Sequence, residues 1–204
     1  SDPLADGPII QGSSQKALEN RVTLPWILNI VSEIRKQSEI PIALMGYINP
    51  IIKFGLSQFI ENCKKVGVDG LIIPDLPPEE ADDYLEKSRE FEISTILLVA
   101  PNTPDKRIRE ISILAGDLIY CVAILGISGS SSAVKEDLNS YLNRVEKNSE
   151  CCFVVGFGIK ERSDVIMVNK MAHGVVVGSA IIMELEKTRD PVKCVKNYVK
   201  KLTA

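Results

Sequence analysis

The sequence predicts a parallel α/β fold and, among such folds, a (βα)₈ barrel of which about six of the eight strands fall within the 204 residues. Three observations carry this. Short apolar runs alternate with longer runs of helical pattern along the whole chain. The starts of the apolar runs recur every ~22 to 34 residues, the rhythm of a parallel sheet with helical crossovers. Polar or glycine residues follow nearly every run, so a ligand site at the C-terminal strand ends would draw on many strands rather than one. A doubly wound sheet shares the first two features. It concentrates its glycines after the first strand, however, and no G-x-G-x-x-G is present.

The expected strands are 42–45, 70–73, 94–99, 118–122, 152–155 and 174–177. Each is apolar almost throughout, as strands buried on both faces are. Helical patterns fill the gaps. Leu24, Ile27, Leu28, Val31 and Ile34 form one stripe over 24–37, and Phe59, Ile60 and Cys63 form another over 56–66. A helix over 77–91 opens on proline, with Glu79 and Glu80 in its first turn. Thr103 is placed to cap 104–115, Ser163 lies near the start of a helix running to Met171, and Asp190 precedes Pro191 as the N-cap of the last helix. The whole reads as one domain over 1–204.

The strand ends carry Tyr47 and Asn49, then Asp75, then Tyr120, then Gly156-Phe157-Gly158, then Gly178-Ser179. The last two follow consecutive final strands. Glycine lets the backbone approach an anion, and the free N–H groups of a helix start hold it, so these two loops point to phosphate. Gly126–Ala133 is small and polar, and reads as a loop that closes over a ligand.

The bulk numbers exclude several classes. A net charge of -3 with no basic face argues against nucleic acid. Lys196, Lys200 and Lys201 read as a solvated helix face. Five cysteines without C-x-x-C spacing read as reduced thiols in a cytoplasmic protein, with the neighbours Cys151 and Cys152 pointing to opposite faces of a strand. One histidine, His173, argues against a zinc site. No apolar run approaches the ~18 residues of a membrane span.

Ser-Asp-Pro-Leu-Ala-Asp-Gly-Pro at 1–8, followed by Ile9-Ile10-Gln11, resembles the loop after the second strand of the tryptophan synthase α subunit family. The resemblance continues in order through 44–50, 74–77, 98–104, 156–159 and 178–180. It implies retro-aldol cleavage of indole-3-glycerol phosphate to indole and glyceraldehyde 3-phosphate. It implies Asp2 as the carboxylate at the indole nitrogen, with Asp6 left as a turn or interface residue. Tyr120 lies by the glycerol and the acid–base group, Tyr47 lines the indole pocket, and Ser128 stands in place of a lid threonine. Gly129, Gly158, Gly178 and Ser179 hold phosphate, and Asn49 faces a partner. That partner is the β subunit, in an αββα assembly, and it carries pyridoxal phosphate; the α chain needs no cofactor or metal.

The sequence departs from the family pattern at Ala123, where serine is common, and at Gly46, where threonine is usual. The family's catalytic glutamate lies upstream of the 1–8 motif, so the 204 residues are expected to lack it, together with the first strand, first helix and most of the second strand. Such a chain is expected to be inactive alone and to leave open sheet edges at 42–45 and 174–177. Asp75 is near the pocket but on the wrong strand to replace the glutamate. Two alternatives stand beside this reading: another phosphate-binding barrel enzyme, or a non-catalytic fragment that binds the β subunit.

Overall fold

Short strands alternate with helices along the chain, broadly as the sequence predicts. A computed structural model describes residues 6–123, 132–156 and 158–203, with the side chains of 132–137 left aside. Contacts divide the chain into two compact units. One comprises Ser1–Gly7, Gln11–Leu97 and Leu114–Leu118; the other comprises Pro8–Ile10, Leu98–Ile113 and Ile119–Ala204.

In the first unit, strands β1 (Ala43–Met45), β2 (Gly70–Ile72) and β3 (Ser94–Thr95) form a sheet in that order. Both pairings are parallel, and β1 meets β2 with Ala43 opposite Gly70 and Met45 opposite Ile72. Helices α1 (Pro8–Glu19), α2 (Leu24–Arg35), α3 (Ile48–Phe54), α4 (Leu56–Val66) and α5 (Asp82–Glu90) connect or precede them. The α4 stripe of Phe59, Ile60 and Cys63 is buried, against Leu71, Tyr84 and Leu85 among others. Gly67, at φ 87, ends α4 in the left-handed conformation, where Val68 N–H bonds back to Cys63. A Cβ there would lie 2.8 Å from Arg35 Nε, which itself donates to the Gly67 carbonyl.

The second unit holds β4 (Leu97–Val99, whose first residue belongs to the first unit), β5 (Leu118–Val122), β6 (Cys152–Gly156) and β7 (Gly174–Val176), in sheet order β4-β5-β6-β7. The β6–β7 pairing is parallel. Its helices are α6 (Asp105–Ala115), α7 (Ser132–Asn148), α8 (Arg162–Val168), α9 (Ser179–Glu186) and α10 (Pro191–Thr203). Ile108, Ile119, Leu142, Val145, Phe153 and Val155 are fully buried.

Several expectations need correction. The strand expected over 94–99 breaks at Ile96: its first half pairs with β2 and its second half lies in the other sheet. Helices α1, α3 and α7 had no counterpart among the expected elements. The acidic pair Glu79–Glu80 lies on a separate 3₁₀ turn, Pro78–Glu80, and the acidic first turn of α5 is Asp82–Asp83. Thr103 accepts the Ala100 N–H, closing the turn before α6, whose first bond runs from Ile108 to the Pro104 carbonyl. The N-cap of α8 is Glu161, paired with Asp164 in a reciprocal capping box, and that helix ends at Val168 rather than Met171. The strands are not all buried on both faces. Ala43 and Met45 of β1 are exposed, and every residue of β7 is half-buried. These two strands lie at outer positions of their sheets. Asp190 does cap α10, accepting the Lys193 N–H at 3.1 Å. Cys151 is buried and Cys152 exposed, and none of the five cysteines forms a disulfide.

Candidate active site

The first unit has an apolar cavity of about 170 Å³ above the C-terminal end of its sheet. Leu24, Ile27, Leu44, Ile51 and Phe59 line it, with Tyr47 at the turn from β1 into α3. Apart from Tyr47, these side chains are apolar, so the wall is apolar. Tyr47 is half-buried, and its hydroxyl donates to Asp6 Oδ2 at 2.8 Å. The Asp6 carbonyl accepts from Gln11 Nε2 at 2.7 Å, tying the aspartate to the start of α1. On the other side of Tyr47, the Ile48 N–H donates to Asp75 Oδ1 at 2.9 Å. Asn49 is exposed on the first turn of α3.

Asp6, expected as a turn or interface residue, thus meets Tyr47. Its place in the 1–8 motif offered a signal, but only a tertiary contact shows that it reaches the N-cap of α3. Asp2, Ser128 and Gly129 fall outside the described residues, as does most of the loop 126–133; its last two residues, Ser132 and Ala133, lie in α7.

The second unit assembles a different group. Tyr120 sits inside β5, not at its end, and is only 5% exposed. A Cβ built on Gly156, the last residue of β6, would fall 1.8 Å from the Tyr120 hydroxyl oxygen. Glycine at 156 is therefore what lets the phenol lie across the β6 backbone. Gly158 follows at φ 91, a conformation that disfavours any side chain. The turn beyond it is tied down twice: the Asp164 carboxylate accepts the Lys160 and Glu161 N–H groups, and the Tyr198 hydroxyl donates to the Lys160 carbonyl.

Gly178 is the N-cap of α9, and Ser179 is that helix's first residue. Among the described residues only Ile10 Cδ1, at 3.9 Å, approaches a Cβ built on Gly178. The Ile181 N–H donates to the Gly178 carbonyl, while the N–H groups of Ser179 and Ala180 precede the first internal bond of the helix, where the helix dipole adds positive potential.

Two further facts bear on the chemistry. Among the described residues no cluster of three or more His, Cys, Asp or Glu side chains is arranged to hold a metal ion. Among the same residues no helix is long and apolar enough to cross a membrane.

Parallel strands, helical crossovers and polar groups at the strand ends define an α/β protein of the βα-barrel class. The family model for "Tryptophan synthase alpha chain" matches residues 1–203. The alpha chain of Petrotoga mobilis is 42% identical over 206 residues, covering 99% of this chain and 80% of that one. The alpha chain of Bacillus anthracis is 40% identical, covering 95% and 75%. The α2β2 tryptophan synthase complex of Pyrococcus furiosus contains a chain that superposes with a TM-score of 0.92 at 38% identity, covering all of this chain and 83% of that one. This chain belongs to the tryptophan synthase alpha chain family, a family of lyases, and has a role in tryptophan biosynthesis.

Proposed function

We propose that this chain contributes the retro-aldol cleavage of indole-3-glycerol phosphate, with the cavity of the first unit receiving the indole ring and Asp6 standing at the ring nitrogen. The observation that carries this is the Tyr47–Asp6 hydrogen bond at an otherwise apolar cavity. The reaction needs such a carboxylate. The ring is protonated at C3, giving an indolenine that accepts the electron pair of the breaking C–C bond. A base removes the glycerol hydroxyl proton as the aldehyde forms. Positive charge on the ring N–H is greatest before the bond breaks, and a fixed carboxylate in a dry pocket stabilises that state more than the neutral ground state. The Tyr47 hydroxyl orients one oxygen of Asp6 for this.

In the second unit, Gly158, Gly178 and Ser179 are proposed to contact the phosphate, joined by Ser128 and Gly129. Tyr120 lies beside the glycerol. Asp2 keeps the role the motif resemblance assigns it as the rival carboxylate.

The acid–base group that moves the C3 and hydroxyl protons is, in this reading, a glutamate upstream of the 1–8 motif. A polypeptide restricted to residues 1–204 then turns over more slowly by on the order of 10²- to 10⁴-fold than one extended by the upstream segment. A coupled assay for glyceraldehyde 3-phosphate on both chains decides it, and equal rates would place the acid–base group within the 204 residues. In the same assay Asp6→Asn and Asp2→Asn, made in the extended chain, separate the two carboxylates. If only Asp2→Asn abolishes turnover, Asp6 is not the group.

The partner in this reading is a pyridoxal-phosphate β subunit, the assembly is αββα, and the compartment is the cytoplasm; the α chain itself needs neither metal nor cofactor. Exposed Asn49 belongs to the docking face, so Asn49→Ala is expected to weaken co-sedimentation with the cognate β subunit in analytical ultracentrifugation.

A further inference from the structure

The two ends of β2 carry matching carboxylates, and the strand register explains why. Residues of β1 face residues of β2 that lie 27 positions later in the sequence. The same offset continues past both ends. At the N-terminal end, the Ile42 N–H donates to Asp69 Oδ2 at 2.7 Å. At the C-terminal end, the Ile48 N–H donates to Asp75 Oδ1 at 2.9 Å. The twins differ in their surroundings. Asp69 is also bound by Arg35, whose guanidinium spans Gly67, Ser38 and Ile40 and neutralises it within the frame of the unit. Asp75 has no ion pair among the described residues, sits in an exposed turn closed by Leu76 N–H to the Ile73 carbonyl, and faces the residue next to Tyr47.

Ile48 opens α3, so its N–H is one of the donors a helix start leaves without an internal partner. Tyr47, the N-cap residue, makes no side-chain capping bond; its side chain is engaged with Asp6 instead. Asp75 therefore does from a neighbouring strand what a capping side chain would do. It fixes the Tyr47–Ile48 peptide plane, and with it the direction in which the Tyr47 side chain leaves the backbone.

We propose that Asp75 is a positioning residue of the indole site: it acts through Tyr47 to hold the phenol against Asp6, and what it contributes is an acceptor oxygen at a set place rather than a charge. This rests on the functional reading above for its consequence, but not for its geometry. The test uses the full chain labelled with 3-fluorotyrosine, with the Tyr47 resonance assigned by Tyr47→Phe. Asp6→Ala gives the shift of a Tyr47 that has lost its acceptor.

The expected result is that Asp75→Ala moves the Tyr47 resonance in the direction Asp6→Ala does, while Asp75→Asn, whose amide oxygen still accepts, leaves it in place. Indole itself is the binding probe, by titration calorimetry. Asp75→Ala weakens it by on the order of five- to tenfold, the effect of one lost hydrogen bond. Asp75→Asn stays within about twofold, and Asp75→Ala added to Tyr47→Phe has less than about a twofold further effect, because the two act as one unit. An unmoved Tyr47 resonance in Asp75→Ala overturns the proposal. So does an Asp75→Asn shift as large as that of alanine, or a double variant whose losses multiply. If the unaltered chain binds no indole, the functional reading fails, and the fluorine shift still decides whether Asp75 positions Tyr47.

Discussion

Tyr47 and Tyr120 differ in what meets the phenol. Tyr47 is half-buried, with Asp6 accepting from its hydroxyl and Asp75 accepting from the peptide that follows it. Tyr120 is buried inside a strand, and its hydroxyl oxygen lies where the first side-chain carbon at position 156 would stand. The acceptors at Tyr47 can be removed one at a time, whereas at Gly156 the first added carbon already meets the Tyr120 oxygen.

The largest effect therefore belongs to Gly156. Gly156→Val is expected to expel the phenol from its place, lower stability by about 1–3 kcal/mol or more through overpacking, and reduce binding of glycerol 3-phosphate at least about tenfold. Urea denaturation and calorimetry read the two quantities. A Gly156→Ala variant with unchanged stability and binding would show that Tyr120 is not sterically set, and the contrast with Tyr47 would collapse.

Next in size is Tyr47→Phe. It removes a hydrogen bond to a carboxylate, a bond that contributes about 1.5–3 kcal/mol, so turnover in an upstream-extended chain should fall roughly tenfold or more. Asp6→Ala should fall further, by on the order of 10²- to 10³-fold, if that carboxylate meets developing charge. Equal losses for the two would mean that Asp6 serves only to anchor the tyrosine.

A pH effect involves one buried thiol in each unit. Burial pushes the Cys63 thiol of the first core and the Cys121 thiol of β5 from the ordinary 9.0 up to about 12. Below pH 9 both folded and unfolded chains keep these protons. Between about 9 and 12 the unfolded chain releases them and the folded chain does not, so stability falls as pH rises through that window. Urea midpoints measured from pH 8 to 11 should show the decline, with a shallower slope in Cys121→Ala. A midpoint independent of pH over that range would contradict it. The smallest effect is at Cys152: iodoacetamide should label this exposed thiol well before Cys63 or Cys121, shifting stability by no more than ~0.5 kcal/mol. Mass spectrometry of peptides after timed labelling reads the order.

The local grammar was legible in the chain. Asp190-Pro191 announced the start of α10, and the Phe59–Ile60–Cys63 stripe announced the buried face of α4, because capping and helical periodicity act over a few residues. The glycines of 156–158 and 178 marked the turns after the last strands. Other local readings failed where two local signals competed: Pro77 to Glu80 looked like a helix start and formed a 3₁₀ turn, and Ser163 looked like a cap where Glu161 and Asp164 cap each other.

What the sequence by itself determined, then, was the alternation of strands and helices in outline, the family and the loops from which the site is drawn. Tertiary structure alone decided which residues in those loops meet. Asp6 meets Tyr47 although the two lie 41 residues apart in the chain. Asp75 reaches Ile48 because parallel pairing sets an offset of 27 residues. Tyr120 depends on Gly156 because neighbouring strands bring an oxygen and a bare Cα together. Each is a relation between separate segments of the chain. Pattern along one segment reports which face is apolar and where an element stops, while register and close approach arise only once separate segments pack.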